Sequence, residues 1–231
     1  MTFRAVIFDL YWTLLYEEET GLNAKAEEVA AKVGVTAEAW HKAWHGTLQA
    51  SWLGQVSLLG RVRAALEEAG AAEYDGALAE ELAGLMAARS TPRLYADVRE
   101  SLARVKEMGF KMGLISNISS YRAAWLKEIE LDRYFDAMAL SCELGVTKPE
   151  RAIYLAAVEG LGVKPEECVF VDDVPPYVQA ARKLGMATVR INRFGSDEIY
   201  REYYDDLDFE ADLRIEGLGE LVEWLDGRSG A

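Results

Sequence analysis

Five short apolar runs, "AVIFDL" (5–10), "KMGLISN" (111–117), "AMALSC" (137–142), "CVFVDD" (168–173) and "ATVRIN" (187–192), punctuate the sequence, each bounded by Gly, Asn, Asp or charged residues. Runs of this length, rich in Val, Ile and Phe, read as buried strands. From Ala96 onward they are separated by amphipathic segments, "ADVRESLARVKEMG", "SSYRAAWLKEIEL", "ERAIYLAAVEGLG" and "PPYVQAARKLG", several of which close on Gly as helices do. Strands that alternate with helices join in parallel, because each helix carries the chain back across the sheet. The expected fold class is therefore α/β, with a parallel sheet covered by helices.

The alternation stops between the first strand and the second. Residues 17–91 show only helical patterns, in "NAKAEEVAAKVG", "TAEAWHKAWHGTLQASWLG", "SLLGRVRAALEEAG" and "DGALAEELAGLMAARS". A strand-free interval this long exceeds an ordinary crossover and reads as an inserted helical subdomain of four helices. The sheet-bearing core then comprises residues 1–16 and 92–231, with Pro92 in the turn-prone "STPR" marking the return to it. The acidic "YREYYDDLDFEADL" (200–213) reads as a solvated loop before the last helix, and neither repeats nor low-complexity segments are visible.

Charge narrows the partners. The 231 residues carry 39 acidic and 25 basic side chains, a net charge of -14, which repels nucleic acid and anionic membrane. A small anionic substrate must then be met by local positive charge, from a few Lys or Arg, helix N-termini or a metal ion. The start "MTFRAVIFDL" lacks a secretion-signal pattern, and no run approaches the ~18 apolar residues of a membrane span, so the expected location is the cytoplasm. Cys142 and Cys168, each beside a predicted strand, read as reduced thiols rather than a disulfide framework.

In an open parallel sheet, ligands bind beyond the carboxyl ends of the strands. The first predicted strand ends at Asp9 and Thr13, the second at Ser116 and Asn117, and the fourth at Asp172 and Asp173, while Lys148 in "GVTKPE" follows the third. Singly, each has a plain structural explanation as a helix cap, turn former or surface charge. Together at one edge they form a cluster. Three acids there repel one another unless a divalent cation neutralises them, and oxygen-only ligands suit Mg²⁺. Lys148 would hold the acids ionised and contact a bound anion, while Ser116, Asn117 and loop N–H groups donate to its oxygens. An unpaired Asp at the centre is a covalent nucleophile, the layout of an aspartyl-phosphate enzyme.

These stretches resemble the haloacid dehalogenase superfamily, most of whose members are Mg²⁺-dependent phosphatases. "VIFDLYWTLL" is similar to the first motif, DxDxT, "LISN" to the second, "GVTKP" to the third and "VFVDDVPPYVQAARKLGM" to the fourth, in the right order, with a helical insert after the first as in members with a C1-type cap. The resemblance implies a Rossmann-like parallel sheet core with an inserted helical cap subdomain that opens to admit substrate. It makes Asp9 the nucleophile and a metal ligand, with the backbone carbonyl of Tyr11 and the carboxylate of Asp173 as further ligands and Asp172 beside them. Thr13, Ser116 and Lys148 would hold the transferred group, with Asn117 a weaker choice next to its motif. The Asn or Asp usual four residues after Asp173 is Tyr177 here.

The chain departs from the phosphatases at Tyr11, where they carry an Asp that protonates the leaving alcohol and then activates water. Such assistance is worth about 10²- to 10⁴-fold in rate. A phenol with a pKa near ~10 is a poor base at neutral pH, although it remains a donor. Three readings follow. A phosphohydrolase or phosphotransferase for substrates with good leaving groups fits the retained Asp172 and Asp173. A 2-haloacid dehalogenase fits "DLYWT", close to that subgroup's DxYGT, but those enzymes use no metal, lack paired acids in the fourth motif and carry an Arg where this chain has "WHKAWH". A catalytically weakened binding protein is the third.

Several insert residues invite a role. Trp12 replaces the usual Gly of the first motif and either narrows the pocket or packs under the insert. Trp40, Trp44 and Trp52 recur at helical spacing and read as packing residues. His41 and His45 stand at i and i+4 without a third metal ligand and read as surface or cleft histidines. Arg61, Arg63 and the insert lysines are candidates to meet an anionic substrate, with surface charge the default.

Overall fold

The computed structural model describes residues 3–193 and 210–229. Its six-stranded sheet contains β1 (Ala5–Phe8), β4 (Lys111–Ser116), β5 (Ala137–Leu140), β6 (Cys168–Asp172), β7 (Ala187–Ile191) and β8 (Leu213–Ile215), in the order β5-β4-β1-β6-β7-β8. Every pairing in it is parallel, with Ala5–Phe8 matched to Lys111–Leu114 on one side and to Cys168–Val171 on the other. The chain thus begins at the sheet's centre, builds outward through β4 and β5, then crosses to β6 and builds the other way. That reversal opens a crevice beyond the ends of β1 and β6.

Alternation along the strands divides the core between two faces. Val6 and Phe8 point into one cluster with Leu114, Val169, Val171 and Val189, closed by α6 (Val98–Glu107) and the last helix, α12 (Leu218–Ser229). Ala5 and Ile7 point into the other with Ile115 and Phe170, closed by α10 (Arg151–Leu161) and α11 (Pro175–Lys183). All four β1 residues are fully buried, as expected of a strand with both faces covered.

The five expected strands and the alternating helices are present, with four differences. The insert is not purely helical at its ends: β2 (Leu15–Glu19) and β3 (Ser90–Leu94) form an antiparallel ribbon. "STPR" is therefore strand rather than turn. Pro92 biases its predecessor toward extended backbone, and a two-stranded ribbon is all edge, where Pro is tolerated. The ribbon is braced by an Arg93–Glu18 ion pair at 2.7 Å and by the Ser90 hydroxyl donating to Glu17 at 2.6 Å.

Second, the long helix expected over 36–54 breaks into α2 (Ala37–Gly46) and α3 (Leu48–Trp52). At the break the Thr47 hydroxyl donates to the Trp44 carbonyl, and Arg61 donates to both Thr47 Oγ1 and Trp44 O, so side chains satisfy the interrupted turn. Third, 119–131 holds two short helices, α7 (Ser120–Ala123) and α8 (Trp125–Glu128). Fourth, β8 emerges from the end of the acidic stretch, docked where the Asp212 carboxylate accepts Thr188 N–H at 2.8 Å. The rest of that stretch, 200–209, lies outside the described residues.

Between the ribbon strands, α1 (Leu22–Ala31), α2, α4 (Leu58–Glu68) and α5 (Gly76–Ala88) pack around their own cluster of Ala26, Trp40, Trp44, Val62, Leu66 and Leu82. At the far end of α3, Gly54 (φ +69°) rests against the core helix α9 (Ser141–Leu144), where a Cβ would lie 2.1 Å from the Cys142 carbonyl oxygen. Both cysteines are free thiols, Cys168 buried and Cys142 partly so. Among the described residues no helix is long and apolar enough to cross a membrane.

Candidate active site

The crevice between β1 and β6 gathers the predicted acids. Asp9 leaves β1 with its N–H donating to the Val171 carbonyl at 2.9 Å, which fixes it beside the end of β6. Its Oδ1 lies 2.5 Å from Lys148 Nζ, and the same ammonium lies 2.6 Å from Asp172 Oδ2. Carboxylate oxygens of Asp9, Asp172 and Asp173 all lie within 4.8 Å of one another, and all three residues are buried.

Burial opposes the Lys148 charge, but the carboxylates of Asp172 and Asp9 outweigh it and hold the ammonium firmly protonated. Burial pushes Asp172 up to about 7, with Lys148 pulling it down and Asp9 pushing it up again. Lys148 thus pairs with two of the three clustered carboxylates. A hard divalent cation with oxygen ligands fits this donor set. His41 is not part of any such set. It pairs with Glu27 at 2.5 Å, while His45 lines the cleft, and the Asp trio is the only metal-capable cluster among the described residues.

Asn117, the weaker choice from sequence, clamps Lys148. Its Oδ1 accepts the Lys148 N–H at 2.8 Å and its Nδ2 donates to the Lys148 carbonyl at 3.2 Å. The same Nδ2 reaches the Tyr177 hydroxyl at 3.3 Å, and the Tyr177 ring lies 4.8 Å from Lys148 Nζ. Tyr177 therefore supports the lysine from the position where an Asn or Asp was expected. The Thr13 and Ser116 hydroxyls are buried without hydrogen-bond partners. Two orphaned donors of this kind suit an anion's oxygens.

The surroundings of Tyr11 disfavour its ionised form. Burial raises its phenol well above the usual range, and Arg122 only partly offsets this. Trp12 does not pack away under the insert. It adopts a left-handed backbone (φ +60°), is 46% exposed and lines the cavity. Trp40 and Trp44 do pack in the insert's core, whereas Trp52 reaches the cavity wall.

That cavity, about 310 Å³, runs from Asp9 and Lys148 to the insert. Of the suggested cations, Arg61 is buried with its guanidinium 3.7 Å from the Trp44 ring, while Arg63 is exposed. Sequence reasoning missed Arg89, Arg122 and Glu17, which also line it. Arg122 follows "LISN" by five residues and Arg89 closes α5, positions that carry no motif of their own.

An α/β sheet with acids and a lysine at its reversal point, roofed by helices inserted after the first strand, defines an enzyme class. Residues 3–185 match the haloacid dehalogenase-like hydrolases, and the chain belongs to that family. It is 38% identical over 133 residues to glyceraldehyde 3-phosphate phosphatase of Methanopyrus kandleri, covering 56% of this chain and 57% of that protein. It is 30% identical over 203 residues to (S)-2-haloacid dehalogenase 4A of Burkholderia cepacia, covering 85% and 86%. Among solved structures, a HAD phosphatase from Thermococcus onnurineus aligns with a TM-score of 0.70 at 26% identity, covering 97% and 98%.

Proposed function

We propose that this hydrolase is a Mg²⁺-dependent phosphohydrolase for small phosphorylated substrates with good leaving groups. The observation that carries the reading is the buried carboxylate trio with one ammonium, an arrangement that halide displacement from carbon does not need. Asp9, Asp173 and the Tyr11 carbonyl would hold Mg²⁺, with Asp172 beside them, and the ion would supply positive charge to the phosphoryl oxygens. The helical insert, residues 17–91, serves as the cap over a core formed by 1–16 and 92–231.

Lys148 engages Asp9 Oδ1 and leaves its other oxygen to attack phosphorus. The Asp9 O–P bond forms as the ester P–O bond breaks, and the leaving oxygen departs with the electron pair. Thr13 and Ser116 hydroxyls donate to the transferred group. Water then attacks phosphorus, the Asp9 O–P bond breaks, and the water's proton passes to phosphate. With Tyr11 unable to give or take a proton efficiently, aryl and acyl phosphates outpace alkyl ones.

A second reading, 2-haloacid dehalogenase, is favoured by Tyr11 and by the B. cepacia relative. A paired assay decides. Aryl phosphate hydrolysis that requires Mg²⁺, stops with EDTA and vanishes in Asp9→Asn is expected, without halide release from 2-haloacids. Fast metal-independent halide release would overturn it.

A further inference from the structure

Three arginines lie together in the lining of the cavity. Arg61, Arg89 and Arg122 all line it, drawn from α4, the end of α5 and α7. Burial lowers the Arg61 guanidinium to about 10, with Tyr121 opposing the shift and the charges of Arg122 and Arg89 adding to it. Glu17 is the one carboxylate among the lining residues at this end, hydrogen-bonded to Arg122 Nη1. Arg61 is spent inside the insert, on Thr47 and the Trp44 carbonyl. Arg122 is committed only in part: Nη1 goes to Glu17, and the Tyr11 hydroxyl lies beside the guanidinium, but Nε and Nη2 make no hydrogen bond of good geometry, and neither does Nε of Arg89.

Three guanidinium groups against one carboxylate leave an excess of positive charge in a largely dry wall, in a chain whose net charge is -14. Orphaned donors on charged groups are costly, and such costs persist where a ligand relieves them. The Nε–Nη2 edge of Arg122 presents two parallel donors, the geometry that a planar carboxylate accepts in bidentate fashion. The rings of Trp12, Trp52 and Tyr177 also line the cavity and offer aromatic surface that suits a short carbon skeleton.

We propose that this wall is a carboxylate subsite centred on Arg122 and Arg89, so that the substrate is a phosphorylated carboxylic acid spanning the cavity from Asp9 to the arginines. This rests on the phosphohydrolase reading for its reacting end, but the subsite is tested independently of turnover. Calorimetric titration of the Asp9→Asn protein with phenyl phosphate and with 3- and 4-carboxyphenyl phosphate reads the carboxylate alone. At least one carboxylated isomer binds about tenfold or more tightly, as one charge-assisted bidentate contact implies. That preference collapses to within about twofold when Arg122→Gln or Arg89→Gln is added. Arg89, only half buried, guards against an Arg122 variant that fails to fold.

Equal binding of all three compounds, or a preference that survives both substitutions, overturns the subsite. Tighter binding of 1,4-phenylene bisphosphate than of either acid overturns the carboxylate assignment in favour of a second phosphate. Phosphate release by the unsubstituted protein separates the two claims. No turnover with the preference intact removes the phosphohydrolase reading and leaves the subsite standing, while turnover without preference does the reverse.

Discussion

Lys148 holds its charge between Asp9 and Asp172, and Asn117 fixes where that charge sits by bonding both ends of the lysine's own backbone. The acids and the lysine were legible because each follows a recognisable apolar run. Asn117's clamp was not, since a side chain that serves a distant backbone leaves no spacing to read. Tyr11 was legible as a missing acid, but its burial was not. Tyr11→Asp is expected to raise turnover of alkyl phosphates, restoring a proton donor whose full worth is about 10²- to 10⁴-fold. Arg122, beside the same position, competes for the new carboxylate and keeps the gain near the lower end of that range. Steady-state kinetics on an alkyl phosphate decides it. An unchanged rate in a protein with native circular dichroism would remove Tyr11 from the account of leaving-group selectivity.

At the scale of elements, strands with both faces covered announced themselves as continuous apolar runs. The ribbon of β2 and β3 did not, because "LYEEE" and "STPRL" are short, carry charged residues and pair with each other rather than with the six-stranded sheet. The break between α2 and α3 was also hidden, since its cap comes from Arg61 on another helix. Helix α3 meets the core where Gly54 nests against the Cys142 carbonyl. Gly54→Ala adds a Cβ that collides with backbone and also strains a positive φ. A loss of about 1–3 kcal/mol is expected from urea unfolding. A midpoint equal to that of the parent protein would mean that the insert does not rest on the core in solution.

The whole molecule has two kinds of interior: the sheet's two faces, and a separate cluster inside the insert. The strand-free interval in the sequence holds the residues of the insert's cluster, and the ribbon of Leu15–Glu19 with Ser90–Leu94 straddles both ends of that interval. Joining Glu19 to Ser90 through an Asn-Gly turn is expected to give a core that still unfolds cooperatively, because none of its strands pairs with the insert. Thermal circular dichroism checks this, and a broad, non-cooperative melt would show that the sheet depends on the helices above it. Arg61 and Arg89 leave with the insert, so carboxylated and plain aryl phosphates should then be bound alike.

Glu19 and Ser90 are partners across the ribbon although seventy-one positions apart, so the path leads into the insert and out of it through a single doorway. Whatever lies beyond that doorway is, topologically, a cassette. Mutations or length changes there can reshape what the cavity admits without shifting the alignment of β1 on β6, and hence of Asp9 on Asp172 and Asp173. New substrate preferences are therefore accessible to this chain with its reacting centre untouched.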